Sequence, residues 1–136
     1  MRPFKGALVA TALALGLWGG PASAHHSFAM FDRARDVLLK GTVKEFQWTN
    51  PHSFIELEVT DVQGAITSYS IEMNSPNNLT RQGWRSSSLK TGDKVALTMN
   101  PLRDGSKGGL FMAVQLPDGR VLGDAAHAPA TVSKAG

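Results

Sequence analysis

Four histidines (His25, His26, His52 and His127) and no cysteines limit the chemistry open to this chain. Without thiols, disulfides, thiolate metal sites and cysteine catalysis are ruled out, and any metal must rely on His, Asp, Glu, Met or backbone groups. His25 becomes chemically distinctive if the chain is cut just before it. It would then carry an α-amine and an imidazole on one residue, a pair that can chelate a single metal ion. The amine titrates near pH 8, so losing its proton to a metal at neutral pH costs little. His26 is adjacent and His52 lies in a Thr49-Asn50-Pro51-His52 turn. A site of His25, His26 and His52 would be rich in nitrogen and would favour Cu(II) among the common divalent metals. His52, Glu56 and Glu58 share a strand face, so a carboxylate can join such a site. The competing interpretation is plainer: His25 and His26 form an uncharged, processable junction, His52 bonds backbone in its turn, and the glutamates are a solvated strand face. His127 receives no role.

A second group consists of Trp48, Asn50, Phe54, Arg103 and Lys107, on the segments Thr49–His52 and Pro101–Gly109 and their flanks. Aromatic faces and cations on two adjacent loops can stack on and clamp a small or polymeric ligand. The alternative is that the aromatics pack and the cations keep a Gly-rich loop solvated. Enzyme signatures are lacking: there is no nucleophile elbow, phosphate loop or HExxH helix. His52 and Ser53 are neighbours at a strand start and point to opposite faces, so they cannot form a dyad.

The cut before His25 is what the N-terminus predicts. Arg2 and Lys5 precede an apolar run from Ala7 to Trp18; Gly19, Gly20 and Pro21 break it, and Ala22-Ser23-Ala24 supplies the small residues a signal peptidase reads. The run is shorter than the roughly 20 residues needed to span a bilayer. No cysteine follows it, which excludes lipoprotein anchoring. Residues 1–24 are therefore expected to be a removed signal peptide, with the product exported to the periplasm and no membrane span left after cleavage. Removing 24 of the 136 residues leaves 112, enough for one modest core. Losing Arg2 and Lys5 brings 14 basic residues to 12 against 11 acidic ones, a near-neutral balance that argues against nucleic acid as a partner.

The mature chain alternates in the manner of strands. VLLKGTVKEFQW is β-branched and aromatic; Leu39 and Val43 share a face, Phe46 and Trp48 are out of step with them, and a bulge near Lys44-Glu45 is expected. Ile55, Leu57 and Val59 point inward on the next run. Tyr69, Ile71 and Met73 follow on the third, with Ser68, Ser70 and Glu72 outward. Ser75 and Pro76 open a short helix that Gly83 ends, placing Leu79 and Trp84 on the core. Val95, Leu97 and Met99 face inward on a fourth strand. LFMAVQL makes a fifth, and RVLG a short sixth. This predicts an all-β, five- to six-stranded OB-like barrel over 37–123, with one short helix between strands three and four. A small sandwich is the alternative. An arm (25–36) precedes the barrel and a disordered tail (124–136) follows it.

The segments HHSFAMFD, LKGTVKEFQWTNPHS, IEMNSPNNLTRQGW and GDKVALTMNPLRDGSKGG resemble a family of exported Gram-negative bacterial proteins known only as a domain of unknown function. The resemblance spans nearly the whole mature chain and implies an exported single domain beginning near a His-His pair, without implying an activity. The strand order is similar to that of bacterial exported OB-fold families. A histidine at residue one with a second elsewhere resembles the histidine brace of copper oxygenases and of some periplasmic copper carriers. The leading expectation is an exported periplasmic binding or accessory domain without evident catalysis, taking copper through its N-terminal histidine. The alternatives are a brace-type copper redox enzyme, and a structural module that binds another envelope protein.

Overall fold

The alternation along the chain becomes a single sheet closed on itself. The structure is a computed structural model and describes residues 28–130. Its strands are β1 (Val37–Gln47), β2 (Phe54–Thr60), β3 (Ile66–Glu72), β4 (Lys94–Pro101), β5 (Gly108–Gln115) and β6 (Val121–Gly123), with α1 (Pro76–Arg81) between β3 and β4. The order is β3-β2-β1-β4-β5-β6, and a parallel pairing of β3 with β5 closes five strands into a barrel. This strand order, with its helix between the third and fourth strands, is that of the OB-fold. One closed sheet also disposes of the sandwich alternative.

The core follows the period-2 pattern. Ile55, Leu57, Ile71, Leu97 and Val114 are fully buried, joined by Leu39, Val43, Val95 and Met99. The β1–β2 register shifts between Val43 and Glu45, so the expected bulge exists. It lets Val43 and Phe46 both reach the core side, although they are three residues apart in one strand. Ser75 caps α1, its hydroxyl accepting from the Asn78 amide, and Pro76 occupies the first turn, where no amide partner is required. Leu79 and Trp84 bury against the barrel as expected.

Three details depart from the sequence reading. Gly108 and Gly109 are strand residues of β5 rather than loop. A β-carbon on Gly108 would press on the Ser70 carbonyl oxygen, and one on Gly109 on that of Asn100, so closure needs glycine at both positions. Glu72, expected outward, is only 8% exposed, because β3 pairs with β5 at this end and the chain covers that face. The tail also begins with structure. Asp124 caps a 3-10 turn, Ala125–His127, and the His127 Nδ1–H donates to Asp36 Oδ2 at 2.6 Å. A short-range cap and one side-chain hydrogen bond supply the order that the segment's composition does not.

Candidate functional site

The β3–β5 pairing ends at Glu72↔Leu110, and the β5–β6 pairing starts at Ala113↔Gly123. Both lie on one edge of β5, so Phe111 and Met112 face a seam between them. A cleft of about 420 Å³ opens there. Its walls include Trp84 and Phe111, whose rings meet edge-on at 5.4 Å, and its polar groups include His52 and Glu72. Phe28, the first described residue, also lines it.

His52 is positioned by the β2–β3 hairpin. Phe54 lies opposite Glu72, and the Ser53 amide donates to the Asn74 carbonyl while the Met73 amide donates to that of Ser53. The turn carrying His52 contains a cis Asn50–Pro51 bond, and the Thr49 hydroxyl donates to the His52 carbonyl at 2.7 Å. The half-buried His52 ring then reaches Met73, its Nδ1 lying 3.0 Å from the carbonyl oxygen. A carbonyl only accepts, so Nδ1 carries the proton and the lone pair of the neutral ring sits on Nε2. Histidines that ligate metals commonly have one ring nitrogen held by a backbone carbonyl in this way. Glu72 Oε1 lies 3.9 Å from Nδ1, beyond hydrogen-bond range, so the imidazole and the carboxylate stand side by side.

The first described residues are tied down beside this pair. A 3-10 turn, Phe28–Met30, leads to Phe31, which bridges to Leu102 and is 3% exposed. The Asp32 amide donates to the Pro101 carbonyl at 2.8 Å, the Arg103 amide to that of Met30 at 3.0 Å, and Arg103 Nε to that of Ala29 at 3.0 Å. The Arg33 guanidinium lies over the Phe28 ring, 5.1 Å from its centroid. The loop between β4 and β5 thus carries the chain's own N-terminal segment. Replacing Arg103 with alanine removes an exposed charge-assisted bond and is expected to cost about 1 kcal/mol. Faster amide exchange at Arg103 and Asp32 would register the loosened turn; unchanged exchange would show that the arm is held without it.

The five residues expected to clamp a ligand lie outside the lining of this cleft. Trp48 is half-buried and stacks edge-on with Phe46 at 5.6 Å. Phe54 starts β2, and Asn50 and Lys107 are exposed. Arg103 is engaged with the N-terminal turn, and none of the five lines the cleft. Of the proposed metal donors, His52 lies in the cleft, while His25 and His26 lie outside the described residues. Glu56 accepts from the Ser70 hydroxyl at 2.7 Å and Glu58 pairs with Lys44 at 3.8 Å, so neither joins His52. The carboxylate that does is Glu72. Only the register supplies it: Thr60 pairs with Ile66, one position beyond what a turn at Asp61–Gly64 gives, and this puts Phe54 opposite Glu72, beside His52. Among the described residues no group of three or more His, Asp or Glu is placed to hold a metal ion. Among them, too, no helix is long and apolar enough to cross a membrane.

No curated protein matches this sequence. A solved structure of the mitochondrial single-stranded DNA binding protein from S. cerevisiae is 14% identical, covering 61% of this chain and 94% of that one with a TM-score of 0.45, a likeness too slight to bear on function. A family model matches residues 14–112, and the chain belongs to that family, the family of unknown function DUF6152.

Proposed function

We propose that this member of a family of unknown function is an exported periplasmic protein that binds a copper-type metal ion, using His25 as its mature N-terminus together with His52. The observation that carries this reading is the shared cleft: Phe28 lines the same cavity as His52. His25 lies three positions before Phe28, and an extended chain covers at most about 3.3–3.6 Å per residue. The terminal amine and imidazole are therefore within about 10 Å of a rim that already holds a pre-oriented imidazole. His52 is the fixed donor because the Met73 carbonyl sets its tautomer. His25 is the chelating donor, and His26 lies within the same reach. Amine and imidazole nitrogens rank copper above the other divalent ions. A protein that holds one such ion in a periplasmic barrel acts as a binding or carrier component.

Copper titration of the protein recovered from the periplasm after export tests this, with mass spectrometry to establish a terminus at His25. One Cu(II) per chain is expected. His52→Ala is expected to lower the affinity by about 10²-fold, the loss typical when a pre-positioned donor leaves a multidentate set. Equal affinity in the two proteins would refute the site.

A further inference from the structure

We infer that the turn after β6 carries a metal site of its own, in which His127 Nε2 and the Asp124 carboxylate bind a divalent ion of the zinc class. The inference goes beyond the copper reading above: every group in it is a described residue, and none is a donor of that site. The arrangement starts from a buried amide. Asn100 of β4 is fully buried, and its Nδ2 donates to Asp36 Oδ1 and to the Arg35 carbonyl, each at 2.9 Å. The other Asp36 oxygen accepts from His127 Nδ1 at 2.6 Å. An ionised carboxylate only accepts, so Nδ1 carries the proton and the lone pair of the neutral ring sits on Nε2. That nitrogen faces the second carboxylate, with Asp124 Oδ2 3.8 Å away. Such a separation is too long for a hydrogen bond.

It is close to what an ion between the two atoms needs. Zinc bonds to nitrogen and oxygen run to about 2.0–2.2 Å, which puts two ligands about 3.4 Å apart at the tetrahedral angle. Asp124 Oδ1 accepts from the Ala126 amide at 2.9 Å, so the cap persists while Oδ2 turns to the ion. The spacing Asp124-Ala125-Ala126-His127 places carboxylate and imidazole three positions apart, as in the Glu-x-x-His pairs of carboxylate-bridged metal bundles. Asp36 completes a carboxylate–histidine–metal relay, holding the ring and raising the basicity of Nε2. Both donors are mounted on the barrel: the Asp124 amide donates to the Met112 carbonyl at 2.8 Å, and Pro129 is buried just beyond the turn. The Asp124 side chain is half exposed, so an ion can enter and water fills its remaining positions. Imidazole with carboxylate suits Zn(II) or Cu(II) and is a poor set for Mg(II).

The test adds Zn(II) to the exported protein and follows the ring nitrogens of His127 by ¹⁵N NMR, which separates this residue from every other histidine. A zinc-dependent shift at Nε2 is expected, with the Nδ1 proton retained, and no such shift with Mg(II). Asp124→Asn keeps a side-chain oxygen for the cap and removes the anionic donor. Asp36→Asn leaves both donors and weakens the relay, and is expected to lower zinc affinity by about 10–100-fold. Asp124→Asn is expected to lower it by about tenfold or more, a direct donor being worth at least as much as the group behind it. Absence of a shift at millimolar Zn(II), a shift at Nδ1 instead, an equal response to Mg(II), or unchanged affinity in Asp124→Asn overturns the site. None of these outcomes depends on whether copper binds at His25, so the two readings fail separately.

Discussion

Acetylating the α-amine of a chain that begins at His25 is expected to lower Cu(II) affinity by about 10²–10⁴-fold, the range by which linked donors exceed separate ones. The physical cause is local. In the processed chain the amine and imidazole of His25 sit on one residue, so once one nitrogen has bound the other is held beside the ion. Acetylation converts the amine to an amide nitrogen, whose lone pair is delocalised and which must lose a strongly held proton to bind. The imidazoles of His25, His26 and His52 remain, which is why the loss is large rather than complete. Nothing in the barrel changes, because Phe31, Asp32 and Arg103 still anchor the chain where it joins the β4–β5 loop. Stability without copper should therefore be the same in both forms. Stabilisation by copper should differ sharply: a ligand at 100 times its Kd adds about 2.7 kcal/mol, and the acetylated form should show little of this at the same copper concentration. Comparable copper-induced stabilisation in both would show that the terminal amine is not a ligand.

The second large effect concerns the wall of the cleft. Trp84→Ala is expected to destabilise the protein by about 3–5 kcal/mol, as for other buried aromatic truncations. Trp84 is 1% exposed. Its ring lies 5.9 Å from that of Phe46 and 5.4 Å from that of Phe111, the latter at 84°. It therefore joins the bulged end of β1 to the seam strand β5 just beyond α1, and the cavity left by its removal is lined by atoms of a closed barrel that cannot collapse inward. Domains of this size are stable by only about 5–15 kcal/mol, so the variant should be near its folding threshold. Urea unfolding is the measurement, with a lower midpoint at unchanged slope expected. Trp84→Phe keeps an aromatic ring in place and should lose clearly less. A loss below about 1 kcal/mol in Trp84→Ala would contradict the packing role assigned here.

Much of the barrel was legible because its signals are local. Period-2 alternation marked Ile55 and Leu57 on β2 and Val95, Leu97 and Met99 on β4, and all five are buried. The mismatch between Val43 and Phe46 announced the bulge, and Ser75-Pro76 announced the start of α1. The residues of the proposed site and its surroundings were harder. His52 could be singled out by type alone. Glu72 could not, because alternation assigns it to the outer face of a half-buried strand, and only the closure of β3 against β5 makes that face an interior wall. Arg103 resembled a free loop cation until the N-terminal turn was seen to bond to it. The segment from Phe28 to Asp36 has no apolar period, and its order comes from hydrogen bonds to Pro101, Arg103 and Asn100 some seventy residues away.

The amino-acid sequence by itself determined strand identity, the short capped helix, the OB-like order of elements and the choice of imidazole over thiol chemistry. Each of these depends on residue type or on periodicity within a few positions. The tertiary structure alone decided which carboxylate stands beside His52, where the N-terminal turn docks and where the cleft opens. Those depend on the β2–β3 register and on the β3–β5 closure. The closure brings together residues almost forty positions apart through contacts that leave no periodic trace in either strand.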